Sequence, residues 1–148
     1  RGLRMKEFYS WPDVGLLKYL PNSIQHVVIN DKASKLDGRI TFYAAEDFEP
    51  LATQGVIKEK IAQRPPVAGI IFFTLKQFCY GEKFNFDLLR DILDSGYEVH
   101  FARETMSILD RSDLDDIFPM LYATQIVLER DEPRESWRDV WDVLTPTA

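Results

Sequence analysis

The feature that most constrains the fold is a nearly continuous apolar run over residues 67–75, which reads VAGIIFFTL. It follows two prolines, Pro65 and Pro66, and ends at the polar pair Lys76 and Gln77. Branched and aromatic residues without polar alternation are typical of a strand that is buried on both faces. The run therefore predicts the middle strand of a parallel sheet covered by helices.

Segments of alternating strand and helix character surround this run. The predicted strands are residues 1–6, 39–45, 67–74 and 97–102, and the predicted helices are residues 22–36, 51–62 and 84–94. This order predicts a three-layer α/β domain over residues 1–109, with a four-stranded parallel sheet in the order 2-1-3-4. Residues 110–148 are predicted to form a helical extension packed on that domain.

The first predicted strand is followed by a long stretch, residues 7–21, that is rich in turn-forming residues and is predicted to be a loop. Long loops in small α/β domains often carry function. Lys6, Tyr9 and Trp11 are therefore predicted to form a lid, with Lys6 and Tyr9 touching a ligand. The alternative is that the aromatic side chains simply close the edge of the core. A second predicted loop covers residues 76–83.

Two carboxylates follow predicted strands at their carboxyl ends, where parallel sheets build ligand sites. Glu46 comes after the second strand, and Glu104 after the fourth. If they converge, they could act as acid and base or anchor sugar hydroxyls. Thr74 and Arg103 lie at the same predicted edge and are candidate ligand contacts. The alternative is that both carboxylates cap the following helices or form ion pairs.

The first predicted helix begins near Ser23 and Gln25. Free N–H groups at a helix N-terminus can bind a phosphate or carboxylate, so both residues are candidate ligand contacts. No glycine-rich phosphate loop accompanies them. A capping role for Ser23 and a solvated side chain for Gln25 form an equally good interpretation.

Composition limits the function classes. The 148 residues carry a formal net charge of -6, which argues against a DNA-binding surface. Cys79 is the single cysteine, so no intrachain disulfide is possible, which fits a reducing cytoplasm. No run approaches the length of a membrane span. His26 and His100 have no partner at metal-ligand spacing, so neither a metal nor a cofactor is predicted.

The end of the chain places Trp137 and Trp141 at helical spacing. Two tryptophans bury a large area. We expect this helix to dock on its own domain, with a homodimer interface as the alternative.

Five stretches carry a resemblance to a known family. They are residues 1–2 (RG), 24–31 (IQHVVIND), 44–46 (AAE), 69–75 (GIIFFTL) and 96–104 (GYEVHFARE). Over residues 1–109 the chain resembles the sporadic carbohydrate-cluster protein family, small proteins encoded in bacterial surface-polysaccharide and sugar-nucleotide gene clusters. The resemblance implies a role in the biosynthesis of surface polysaccharides or sugar nucleotides.

The layout is also similar, more distantly, to the catalytic domain of serine recombinases, a resolvase-like or flavodoxin-like arrangement. Those enzymes have a nucleophilic serine directly after the first strand. With the first strand predicted at residues 1–6, Met5, Lys6 and Glu7 occupy that position here. Their basic segment after the central strand is replaced here by residues 75–78 (LKQF). DNA recombination is therefore not expected.

Two functions follow as hypotheses. The first is a small enzyme that acts on or binds a sugar, sugar phosphate or sugar nucleotide at the carboxyl end of the sheet, with Glu46 and Glu104 as its central groups. The second is a non-catalytic binding or scaffolding module for another enzyme of the same pathway.

Overall fold

A computed structural model describes residues 5–17, 19–46, 54–80 and 83–131. The strands are β1 (Lys6–Trp11), β2 (Gly38–Tyr43), β3 (Gly69–Phe72), β4 (Cys79–Tyr80), β5 (Lys83–Phe84), β6 (Glu98–Phe101) and β7 (Met106–Ile108). The α-helices are α1 (Asn22–Lys35), α2 (Gly55–Ala62), α3 (Phe86–Asp94) and α4 (Arg111–Asp131). Short 3-10 helices lie at Val14–Leu16 and Leu75–Phe78.

The main sheet has five strands in the order β2-β1-β3-β6-β7. β2, β1, β3 and β6 are parallel, and β7 pairs antiparallel with β6. The predicted α/β class is confirmed, but the sheet differs in detail from a four-stranded parallel one. The additional strand, β7, has three residues and follows a turn with a positive φ of 51° at Thr105. So short a strand shows no periodicity in the sequence.

The position predicted for the first strand was wrong. Residues 1–4 lie outside the described part of the chain, and β1 occupies Lys6–Trp11, inside the stretch that was predicted to be a loop. Phe8 and Trp11 are fully buried, one on each side of the sheet. The turn-forming Pro12 and Asp13 come after the strand and end it. Between β1 and α1 the described residues include the 3-10 helix Val14–Leu16, and α1 begins at Asn22.

Two apolar layers enclose the sheet. Phe8 and Ile71 pack with Ile29 of α1 on one face. Trp11 and Phe72 belong to the larger core on the other face, which α2, α3 and α4 complete. All four residues of β3 are buried, which confirms the strand at the centre of the chain.

Helix α1 buries fewer of its apolar side chains than the sequence pattern predicts. Ile29 and Ala33 are buried, but Ile24 and Val27 have exposed fractions of 48% and 68%. The inward position near Ile24 is taken by Gln25, which is fully buried. The outer side of α1 therefore carries an exposed apolar pair.

The segment after β3 and the final helix complete the fold. The second predicted loop, residues 76–83, contains β4 and the first residue of β5, and these two short strands pair antiparallel. Helix α4 begins one residue after Asp110, whose carboxylate accepts a hydrogen bond of 3.0 Å from the backbone N–H of Asp113. The helix continues through Pro119 and buries Leu114 and Leu121 in the larger core. The predicted tryptophan helix lies outside the described residues.

Candidate functional site

The Glu46 carboxylate lies beyond the carboxyl end of β2 and joins two elements. The indole N–H of the buried Trp11 donates to Glu46 Oε2 at 2.8 Å. The backbone N–H groups of Val56 and Ile57 donate to Oε1 and Oε2, each at 3.0 Å. These are N–H groups in the first turn of α2, where a helix lacks internal acceptors and a negative charge is favourable. Glu46 therefore caps α2 and fixes it to the end of β1.

Glu104 has an equivalent role after β6. The Thr74 hydroxyl donates to Glu104 Oε2 at 2.6 Å, and the backbone N–H of Leu75 donates to Oε1 at 3.0 Å. Thr74 is fully buried and caps the 3-10 helix Leu75–Phe78 in a reciprocal arrangement with Gln77. Glu46 therefore caps the helix that follows it, as the alternative interpretation predicts, whereas Glu104 binds the start of a 3-10 helix that precedes it in the chain.

The switch point of the sheet lies between β1 and β3, because the connections from these strands run to opposite sides. Here the Gln77 side chain donates to the backbone carbonyls of Trp11 and Pro12, at 2.9 and 3.2 Å. Gln54 donates to the Gln77 carbonyl, and Asn85 donates to the Gln54 side chain, both at 2.9 Å. Amide side chains therefore bridge the crevice where a ligand would sit in many α/β folds.

Gln25, predicted to bind a ligand, is committed to the backbone. Its Oε1 accepts from the Asp13 N–H at 2.7 Å, and its Nε2 donates to the carbonyls of Asp13 and Leu20 at 3.0 Å each. It therefore ties α1 to the segment after β1. Ser23 is exposed, and it does not cap the helix, because the capping position is occupied by Pro21.

The remaining predicted contacts are dispersed. Lys6 begins β1 at the amino end of the sheet and forms an ion pair of 3.0 Å with Glu98. Tyr9 lies within β1, with its ring centroid 4.7 Å from that of Phe42. Neither belongs to a lid. Arg103 is exposed at the carboxyl end of the sheet, and its backbone N–H donates to the Phe73 carbonyl.

A group that the sequence interpretation overlooked occupies the carboxyl end of β1 and β2, on the α1 side. Ser10 Oγ lies 3.4 Å from Nδ1 of the half-buried His26. The His26 ring packs edge-on against Tyr43, with ring centroids 4.8 Å apart, and Tyr43 is 52% exposed. Ser10 and Tyr43 are register partners on neighbouring strands. The sequence did not predict this contact because β1 was misplaced. Only the observed strand puts Ser10 opposite Tyr43 at the end of β2.

A second overlooked group crosses the sheet on the same face. His100 of β6 is fully buried, with Nε2 at 2.8 Å from Glu98 Oε1 and Nδ1 at 2.7 Å from Ser107 Oγ on β7. Burial lowers the pKa of His100 below its usual value of 6.5. The positive charges of Lys32 and Lys6 act in the same direction, against the hydrogen bond and charge of Glu98. The imidazole is therefore neutral at pH 7.

This pKa shift predicts a pH dependence of stability. Between 6.5 and the lower pKa of the folded state, the unfolded chain binds more protons at His100 than the folded chain does. The contribution of His100 is complete above pH 6.5 and is lost as the pH falls below it. We therefore expect the unfolding free energy from urea titrations to drop as the pH is lowered below 6.5. The drop should be smaller in His100→Gln, and an equal drop in both proteins would contradict this assignment.

The fold is thus a mostly parallel α/β domain. Its carboxyl edge carries two helix-capping carboxylates, Glu46 and Glu104, and the exposed Tyr43 ring beside the His26 imidazole. Comparison with models of known protein families gives no match. Comparison with curated proteins gives no match either. Within the described residues, no three His, Cys, Asp or Glu side chains converge so as to hold a metal ion. No helix in that part of the chain has the length and apolar character needed to cross a membrane.

Proposed function

We propose that this chain is a protein of bacterial surface-carbohydrate or sugar-nucleotide biosynthesis that binds a sugar-containing ligand at the carboxyl edge of its sheet. The ligand contacts are Tyr43 and His26, while Glu46 and Glu104 hold the edge rigid. The pathway assignment rests on the resemblance to the sporadic carbohydrate-cluster proteins.

The observation that carries the binding proposal is the exposed Tyr43 ring beside His26 at the end of β2. An aromatic face supplies apolar contact to a sugar ring, and a nearby imidazole supplies a hydrogen-bonding group. Gln77 bridges the switch point between β1 and β3. The carboxyl ends of β1 and β2, on the face of the sheet that α1 covers, therefore offer a better contact surface for a ligand than the switch point does.

A scaffolding module is the second candidate, and the exposed apolar pair of α1 favours it. Ile24 and Val27 project from the outer side of the helix, and a partner enzyme would cover them. Binding of a pathway protein that is lost in Val27→Lys, without any response to sugars, would select this candidate over the first.

A thermal-shift screen of nucleotide sugars and sugar phosphates tests the proposal. We expect at least one compound to raise the Tm, and the increase to disappear in Tyr43→Ala because the stacking surface is lost. Tyr122→Ala is the matched control, since Tyr122 is 50% exposed on α4 and should leave the response intact. If the whole panel leaves the Tm unchanged, the sugar-binding proposal is wrong.

A further inference from the structure

We propose that Ser107 is a nucleophile, with His100 as its general base and Glu98 as the residue that positions the base, and that this group cleaves small carboxylic esters. The three side chains form one hydrogen-bonded row across β6 and β7, on the sheet face that carries α1. This activity is separate from sugar binding at Tyr43 and does not depend on it.

The hydrogen bonds fix the imidazole tautomer. A carboxylate oxygen accepts hydrogen bonds, so the 2.8 Å contact with Glu98 requires the proton of neutral His100 to be on Nε2. Nδ1 then carries a lone pair and accepts the Ser107 hydroxyl proton across 2.7 Å. A serine whose proton points at a neutral imidazole, which a carboxylate orients in turn, is the arrangement that activates a hydroxyl for attack.

The strand geometry supplies this row. Glu98 and His100 are two residues apart on β6, so their side chains lie on one face of the sheet. Ser107 is the direct register partner of His100 on β7. β7 is the edge strand and Ser107 is exposed, whereas His100 is fully buried. The nucleophile therefore faces solvent at the edge of the sheet, and its base lies behind it in the packed interior.

Burial lowers the pKa of the base, and the hydrogen bond and charge of Glu98 oppose that shift. Lys6 of β1 binds the second carboxylate oxygen of Glu98 at 3.0 Å, which leaves the first oxygen for His100. Lys32 of α1 adds a further positive charge near the imidazole. Phe8 of β1 packs edge-on against the His100 ring, with centroids 5.3 Å apart, and holds its orientation.

The reaction follows from these positions. Ser107 Oγ forms a bond to the ester carbonyl carbon while its proton moves to His100 Nδ1. The carbonyl–alkoxide bond then breaks, and the leaving alcohol takes that proton from His100. Water attacks the acyl-serine, gives its proton to His100, and releases the carboxylic acid, while the serine oxygen recovers the proton. An ester fits this base because its alkoxide leaving group needs the one proton that His100 carries.

Labelling with a fluorophosphonate probe tests the assignment on the full chain, with p-nitrophenyl acetate hydrolysis as a second readout. We expect mass spectrometry to find the label on Ser107, and Ser107→Ala to abolish both labelling and hydrolysis. Ser112→Ala, at an exposed serine on α4, is the control and should keep both. His100→Gln should slow labelling by about 100-fold or more, the usual contribution of a general base.

Glu98→Gln separates a positioning role from a structural one. In this variant the labelling rate should fall, and its pH profile should shift, while circular dichroism and the unfolding transition show a folded protein. Absence of label on Ser107 in folded wild-type protein would overturn the proposal. A label on Ser107 that forms equally fast in His100→Gln would overturn it as well, because the serine would then react without its base. Neither outcome bears on the Tyr43 thermal shift.

Discussion

Replacing Gly69 with alanine is expected to destabilise the protein by about 3 kcal/mol, a large fraction of a domain's stability. A Cβ atom at this position would lie 2.2 Å from the backbone oxygen of Glu98 and 2.8 Å from its Cβ. Both neighbouring atoms belong to β6, which pairs with β3 at this residue. The strands must separate to make room, and four buried residues of β3 are disturbed at once. Urea denaturation followed by circular dichroism measures the loss.

Gly96→Ala is the matched control for this substitution. A Cβ atom added at Gly96 would meet nothing within 4 Å, but the φ of +93° is unfavourable for a residue with a side chain. We expect a cost of about 1 kcal/mol from the backbone alone. Equal losses in the two variants would mean that the close approach of β3 and β6 is not what Gly69 provides.

Glu46→Gln is expected to cost about 2 kcal/mol, although it changes neither the size nor the shape of the side chain much. The carboxylate accepts three hydrogen bonds, from Trp11 and from two N–H groups of α2. A glutamine offers one oxygen and one NH2 group, so at least one donor would face another donor. The buried indole of Trp11 makes this loss costly, because water does not reach it to take over the contact.

The control for Glu46→Gln is Glu59→Gln, at an exposed position of the same helix. It makes the same chemical change and should leave the urea midpoint unaltered. A midpoint as low in Glu59→Gln as in Glu46→Gln would show that overall charge, and not the cap, sets the stability. An unchanged midpoint in Glu46→Gln would contradict the capping role directly.

The layered α/β arrangement could be predicted from the sequence because its strongest signals are long. The buried run that became β3 and the apolar spacing of α3 need no knowledge of the rest of the chain. β1 was misplaced because its residues Tyr9 and Ser10, followed by Trp11 and Pro12, resemble a turn-rich segment. Only the pairing with β2 and β3 shows that they form a strand.

The candidate site was harder to predict because a carboxylate at a strand end has the same sequence signature whether it reacts or caps. The difference depends on which N–H groups lie within hydrogen-bond distance, and those of Val56 and Leu75 are distant in sequence from Glu46 and Glu104. The same limit concealed the contact of Ser10 with His26 and that of Ser107 with His100. Each depends on strand register, which short strands do not reveal.

The misplaced strand also affects the comparison with serine recombinases. On the observed boundaries the residues after β1 are Pro12 and Asp13, and the nearest serine, Ser10, is fully buried within the strand. Its hydroxyl faces His26. The absence of DNA-cleaving chemistry remains a prediction, and it now rests on the burial of Ser10 and on the acidic charge of the chain.

We infer that Glu104, like Glu46, stabilises the carboxyl edge of the sheet and does not contact the ligand. Isothermal titration of Glu104→Gln, with the best compound from the thermal-shift screen, tests it most directly. We expect a Kd within about threefold of the wild-type value, a difference below about 1 kcal/mol, together with a lower Tm, because the single amide oxygen of glutamine cannot accept from both the Thr74 hydroxyl and the Leu75 N–H. A Kd weakened by about 100-fold at an unchanged Tm would contradict it, because Glu104 would then bind the ligand rather than the fold.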